Sequence, residues 1–324
     1  MIVINQNQVE ELLPMDTCIK VIENVLKDLA AGEAIQHLRS VIPIEQENLM
    51  GLMPGYLRRE EVIGAKVITI YPKNHKQGLP SHQGVVLLND ANDGSIKAII
   101  DGTKITALRT AAVSAVATKV LSTKDSKILS LLGSGEQART HLEAIAAVRP
   151  ITKVHIWSRN VEKATVFKEE MERRISIPIQ VFEEAEDAVC EADIICTLTA
   201  ATEPILHREW VKEGAHINAV GACKATDREL DSDIVKRSLF YVDRVESAVN
   251  ESGDYLIPLK EGKIGPNHII GELGEVLTRK VPGRQSNSEI TIFESLGLAI
   301  EDLAAANFIY QEAVKQKKGT VIPM

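Results

Sequence analysis

The chain has 324 residues, 44% hydrophobic and 25% charged, with 45 acidic against 37 basic side chains and a formal net charge of -8. That length fits two domains of ordinary size, and the acidic balance argues against nucleic acid or an anionic membrane as the main partner. No apolar run approaches the ~18 residues of a membrane span, and the start MIVINQNQVEELL lacks the blocks of a secretion signal. The cysteines Cys18, Cys190, Cys196 and Cys223 form no CxxC pair, and the 8 histidines show no metal spacing. A reduced, cytoplasmic protein without a metal site is expected.

The predicted elements begin with an amphipathic helix over 8–31, carrying Pro14 near its first turns. A β-rich stretch follows, with strands expected at 38–44, 49–56, 62–69, 84–89 and 96–101. Asn92-Asp93-Gly94 between VVLLND and IKAII reads as a hairpin turn. An Ala-rich helix is expected over 103–121.

From Lys127 the rhythm changes to alternating strand and helix. Strands are expected at 128–132, 154–157, 179–182, 193–197, 216–220 and 239–242, with helices at 139–148, 161–174, 185–191 and 228–237. This alternation specifies an α/β fold, a doubly wound parallel sheet of Rossmann type. A last strand is expected at 289–293 and a largely helical segment over 295–317.

The run ILSLLGSGEQA, Ile128 to Ala138, carries the most information. A buried strand enters Gly133-x-Gly135-x-x-Ala138 and then a helix, the context a dinucleotide fingerprint requires. Gly133 allows the tight turn and Gly135 lets backbone approach a pyrophosphate. Ser134, Glu136 and Gln137 lie where the helix N-terminus offers N–H groups and a positive dipole end. The tip of the next strand is Ser158-Arg159-Asn160, with no carboxylate to hold a ribose 2′-OH. Arg159 can pair with a 2′-phosphate and Ser158 can donate to it, so NADPH is expected ahead of NADH. Loops at the carboxyl ends of later strands should also face the ligand: Thr197 and Thr199 in one, Val220, Gly221, Cys223 and Asp227 in the next. Asp227 reads equally as an N-cap for the helix expected at Arg228.

In the first half, Arg39, Lys66 and Arg109 are cations placed in or beside apolar segments, VIGAKVITIYP and ITALRTAAV among them. Such residues point to a pocket for a small carboxylate, or singly to internal ion pairs. Ser81-His82 lacks a nucleophile elbow and an orienting acid, so acyl chemistry is rejected in favour of a polar loop at the cofactor's nicotinamide end.

These motifs together resemble the ornithine cyclodeaminase and mu-crystallin family over nearly the whole chain. The matching stretches are GLMPGYL, IGAKVITIYP, GLPSHQGVVLLNDANDGSIKAIIDGTKITALRTAAVSAVA, LLGSGEQA, INAVGAC with RELD, and IFESLGLAIEDLAAA. The resemblance implies a homodimer. It implies an α+β substrate-binding and dimerisation domain built from both chain ends, 1–122 with 300–324, and a Rossmann domain over 123–299. It implies that Arg39, Lys66 and Arg109 bind the substrate carboxylate, with Met53 and Cys223 also at the substrate. Ser81 would lie near the nicotinamide, Ser295, Leu296 and Gly297 against its ring, and Thr110 toward the phosphates.

Members of the family differ in reaction: cyclodeamination of ornithine or lysine, alanine dehydrogenation, opine-type synthesis, and reduction of cyclic ketimines. Mu-crystallin itself suggests a further possibility, a protein that holds NADPH and a small ligand without turnover. Cyclodeaminases place a catalytic Asp after Gly-Ala or Gly-Gly in the fifth-strand loop, and this chain has Cys223 there. Glu294 is a second departure, standing where many relatives have Lys. The resulting expectation is NAD(P)H-dependent reduction of cyclic imino acids such as Δ1-pyrroline-2-carboxylate, with Lys66, Arg109 and Asp227 as catalytic residues.

Overall fold

The computed structural model describes residues 1–323. Contacts divide the chain into two units, Met1–Arg109 with Gly297–Met324 and Thr110–Leu296; residue 324 lies outside the described residues. This partition differs from the expected divisions at 122/123 and 299/300. It cuts the helix Gly102–Leu121 after Arg109. The second half of that helix is bonded into unit 2, Ser114 to His141, Thr118 to Asn218, and Ser122 to Arg149.

Unit 1 is built on a mainly antiparallel sheet. Its strands are β1 (Ile2–Ile4), β2 (Ala34–Gln36), β3 (Ser40–Pro43), β4 (Leu49–Leu57), β5 (Val62–Ile70), β6 (His82–Asp90) and β7 (Ile96–Asp101). A two-residue strand Thr320–Val321 closes one edge, giving the order Thr320–Val321, β1, β7, β6, β5, β4, β2, with β3 also paired to β4. The β6–β7 hairpin turns through Asn92-Asp93-Gly94 as expected, with Gly94 at φ 76°. Alternation in β4 and β5 sends Met53, Leu57, Val62 and Lys66 inward, where all four are buried. The helices Met15–Ala31 and Ala299–Gln316 cover that inward face.

The helix expected over 8–31 is two helices, Gln6–Leu12 and Met15–Ala31. Pro14 lacks an N–H and pushes Leu13 to φ -126°, ψ 77°, so the first helix ends there and the second starts after the proline. The short strands β1, β2 and Thr320–Val321, at or next to the edges of the sheet, are additions to the expected set.

Unit 2 contains eight strands among the described residues, all parallel: β8 (Ile128–Leu132), β9 (Lys153–Trp157), β10 (Ile179–Phe182), β11 (Ile194–Thr197), β12 (His216–Ala219), β13 (Leu239–Val242), β14 (Ile269–Glu272) and β15 (Thr291–Glu294). Their order is β10-β9-β8-β11-β12-β15-β13-β14. Strands buried on both faces need near-continuous apolar runs, and β11, β12 and β15 are buried at every residue. Order reverses between β8 and β11, which marks the topological switch point where such sheets bind ligands.

The helix expected over 228–237 begins only at Ser232. Asp231 caps it by accepting from the Ile234 N–H, so Asp227 is not its N-cap. The segment 295–298 is extended loop, and the last long helix starts at Ala299.

Candidate active site

Unit 1 brings two of the three expected cations together. Lys66 Nζ lies 2.6 Å from Asp302 Oδ2. The Arg109 guanidinium donates from Nε to Asp302 Oδ1 at 3.0 Å and from Nη1 to Glu301 Oε2 at 2.9 Å. All four side chains are buried. Glu301 and Asp302 occupy the first turn of the helix Ala299–Gln316, whose positive end favours acids there. Met53 is the direct cross-strand partner of Lys66 on the inward face. Arg39 follows β2, half-buried, and its charge is felt at Lys66.

The internal ion pairs are therefore real, and they are joined into one cluster rather than scattered. Burial pulls the Lys66 ammonium down from its ordinary 10.5 to about 8. Asp302 opposes that fall, while Arg109 and Arg39 add to it. The two acids went unassigned at the level of sequence. An acidic pair in the otherwise apolar IEDLAAA was the available signal, because buried cations elsewhere demand buried partners.

Gly297 fixes Arg109 from a further side. It adopts φ 86°, and a Cβ there would stand 2.7 Å from Arg109 Nη1. Gly297→Ala is expected to cost about 1–3 kcal/mol in backbone strain alone and to displace the guanidinium. A thermal midpoint equal to that of the parent protein would refute this. Ser81 lies in the loop before β6, its hydroxyl 3.0 Å from His82 Nδ1. Partial desolvation, and then the Lys66 charge, hold the His82 imidazole below its ordinary pKa.

Unit 2 gathers most of the expected cofactor residues at the carboxyl ends of β8, β9, β11 and β12. Gly133 takes φ 124°, and a Cβ on it would lie 2.7 Å from the Leu198 carbonyl oxygen, so the turns after β8 and β11 touch at the switch point. A Cβ on Gly135 would meet nothing within 4 Å, which leaves open space before the turn. The helix Glu136–Val148 starts from Gly135 without a side-chain cap. Its first N–H groups suit a pyrophosphate, and the cradle fits a dinucleotide. Ser134 Oγ donates to Ser158 Oγ at 3.1 Å, joining the first turn to the tip of β9. Arg159 is exposed beside them, and Asn160 caps the next helix through the Lys163 N–H.

Thr197 is buried at the end of β11, and Thr199 and Gly221 meet through a carboxylate described below. Val220 is buried, and Cys223 donates to its carbonyl at 3.5 Å. Asp227 accepts from Thr226 Oγ1 and lies 3.8 Å from Lys224 Nζ. Thr110 opens the unit 2 half of its helix and is buried. Ser295 and Leu296 are buried after β15, with the Leu296 N–H donating to Asp243. Among the described residues no group of three or more His, Cys, Asp or Glu could hold a metal ion. Among them no helix is long and apolar enough to cross a membrane.

A parallel sheet with a glycine turn at its switch point defines a Rossmann-type dinucleotide-binding protein. The chain belongs to the ornithine cyclodeaminase/mu-crystallin family, whose profile matches residues 1–317. It is 37% identical over 324 residues to Delta(1)-pyrroline-2-carboxylate reductase of Bacillus cereus, covering 99% of each chain. It is 41% identical over 280 residues to ketimine reductase mu-crystallin of Mus musculus, covering 86% of this chain and 85% of that one. Among solved structures, Delta(1)-pyrroline-2-carboxylate reductase of Thermococcus litoralis, in complex with NADH and L-proline, superposes with a TM-score of 0.97. That chain is 42% identical, with 99% of this chain and 100% of that one covered.

Proposed function

We propose that this chain reduces cyclic imino acids with NADPH, NADH serving as the alternative cofactor. The substrates would be Δ1-pyrroline-2-carboxylate and its six-membered homologue Δ1-piperideine-2-carboxylate, giving L-proline and L-pipecolate. The buried cluster of Lys66, Arg109, Glu301 and Asp302 carries this reading. It sets two cations against two acids, and the charge of Arg39 also acts on Lys66. Such a site suits a small carboxylate, whose charge-assisted hydrogen bonds repay its desolvation. An ammonium has three donors, and the Asp302 contact occupies one of those on Lys66.

Gly133, Gly135 and the start of the helix Glu136–Val148 would hold the pyrophosphate, with Ser158 and Arg159 at the 2′-phosphate. When bound, the cofactor supplies the hydride that reduces the imine carbon. Lys66, Arg109 and Arg39 fix the substrate by its carboxylate, which makes the transfer effectively unimolecular. Asp227 is the carboxylate that the loop after β12 offers to the iminium charge. Cys223 in that loop separates this chain from the cyclodeaminase pattern. Incubation with L-ornithine and NAD tests this point. No ammonia is expected, and steady ammonia release would favour a cyclodeaminase.

The cofactor assignment has its own test. Arg159→Asp should weaken NADPH binding roughly 10- to 100-fold and spare NADH, since a carboxylate repels a 2′-phosphate and accepts from a 2′-OH. Dissociation constants for both nucleotides, measured by nicotinamide fluorescence, would decide. Unchanged preference would remove Arg159 from the site.

The proposal includes a homodimer formed through unit 1. The outward face of its sheet is apolar: Ile35, Leu52, Ile63 and Val85 are 40–46% exposed, and Val41 and Ile42 on β3 reach 48% and 60%. Large contiguous apolar patches are rarely left open to water on a soluble monomer. Sedimentation equilibrium should give twice the chain mass, and Leu52→Asp with Ile63→Asp should give the monomer. A monomeric parent protein would defeat the assignment. A reducing compartment, the cytoplasm, is part of the same proposal and rests on cysteine usage.

A further inference from the structure

We infer that Glu229 is a positioning residue for the cofactor-facing edge of unit 2, holding two loops at the distance the dinucleotide requires. The inference rests on the reading of unit 2 as the nucleotide-binding half. Glu229 is fully buried. Its Oε1 accepts from the Thr199 N–H at 2.7 Å and from Thr199 Oγ1 at 2.6 Å, and its Oε2 accepts from the Gly221 N–H at 2.9 Å. Thr199 belongs to the loop after β11 and Gly221 to the loop after β12. One carboxylate therefore bridges two neighbouring strand ends beside the switch point.

The bridge leaves no slack. A Cβ on Gly221 would stand 2.1 Å from the Thr199 carbonyl oxygen and 2.6 Å from Glu229 Oε2. Glu229 is itself held by Asp254, which is 1% exposed and accepts from the Glu229 and Leu230 N–H groups at 3.0 and 2.8 Å. Two residues earlier, Ser252 donates to Glu294 Oε1 at 2.6 Å, so the same scaffold reaches the end of β15. Burial pushes the Glu229 carboxyl above its ordinary value, and the donors from Thr199, Thr197 and Gly221 oppose that rise only in part. A carboxylate surrounded by donors has a geometric task, since an apolar residue would fill the space at lower cost.

The test uses the full chain and NADPH itself. Glu229→Gln turns an acceptor into a donor facing either Gly221 or Thr199. Its NADPH dissociation constant should rise about 10-fold, while the KM for Δ1-pyrroline-2-carboxylate stays within about twofold. Thr199→Val removes the hydroxyl that donates to Glu229 and accepts from the Ala201 N–H at 3.1 Å, and should weaken NADPH about threefold, and Thr199→Ser should restore binding. If Glu229→Gln does not fold, the Val and Ser pair decides the matter. A residue that merely stabilised the fold would lower the thermal midpoint and leave the NADPH constant and the Val-to-Ser recovery flat, and that result would overturn the inference. A parent protein that binds no NADPH would instead overturn the functional reading on which it rests.

Discussion

Lys66→Met is expected to lower kcat/KM for the imine by about 100-fold while NADPH binding is unchanged, because a lost charge-assisted contact removes roughly 1.5–3 kcal/mol. The substitution keeps an unbranched side chain one atom shorter and removes its charge. Asp302 then keeps Arg109 as a partner, so the buried acid is not stranded. Some stability is lost with the Lys66–Asp302 pair, and the further loss of activity falls on the substrate. Steady-state kinetics with direct titration of NADPH separates the two. Full activity in this variant would take Lys66, and the carboxylate site with it, out of the mechanism.

The second large effect is expected at Asp302. Asp302→Asn withdraws the charge shared by Lys66 and Arg109, and breaking such a buried pair costs about 3–5 kcal/mol. At roughly 2–4 °C per kcal/mol for a chain of this size, the thermal midpoint should drop by about 10 °C. The pH dependence should change as well. Lys66 titrates at about 8 in the folded chain against an ordinary 10.5. Between those values the unfolded chain binds more protons than the folded one, so Lys66 makes stability rise with pH across that window. Activity should run the opposite way, because the charged ammonium is the form that holds a carboxylate: kcat/KM should fall as pH passes about 8. Asp302 raises the Lys66 pKa, so Asp302→Asn should move that limb toward acid. A pH profile for Asp302→Asn that overlays the parent profile would contradict the coupling.

The fold was most legible where local chemistry and burial agree. β8 and β13 are short apolar runs buried on both faces of a parallel sheet, and their limits, like those of the edge strand β10, coincide with the expected ones. The glycine turn was legible because only glycine meets the φ of Gly133 and its contact with Leu198. The short strands Ile2–Ile4, Ala34–Gln36 and Thr320–Val321 were not, since two or three residues carry no period and are set by their neighbours. Pro14 was read as an early-turn residue of one helix, yet its effect on Leu13 divides that helix in two.

The candidate site was half legible. Cations in apolar strands announce themselves, so Lys66 and Arg109 could be named and their clustering anticipated. Glu301 and Asp302 look like ordinary first-turn acids, and only the packing of their helix on the sheet turns them inward. Glu229 lies in the RELD motif, but its role depends on two loops brought together by strand order, which no local pattern encodes. Asp227 shows the converse: a plausible N-cap by spacing, displaced from that role because Asp231 takes it.

The most direct measurement is transfer of deuterium from NADPH carrying deuterium at both C4 positions of the nicotinamide to Δ1-pyrroline-2-carboxylate, without ammonia. One deuterium at C2 of L-proline for each NADPH oxidised is the expected result. Unconsumed NADPH, or proline without deuterium at C2, would contradict reduction of the ring imine by this chain.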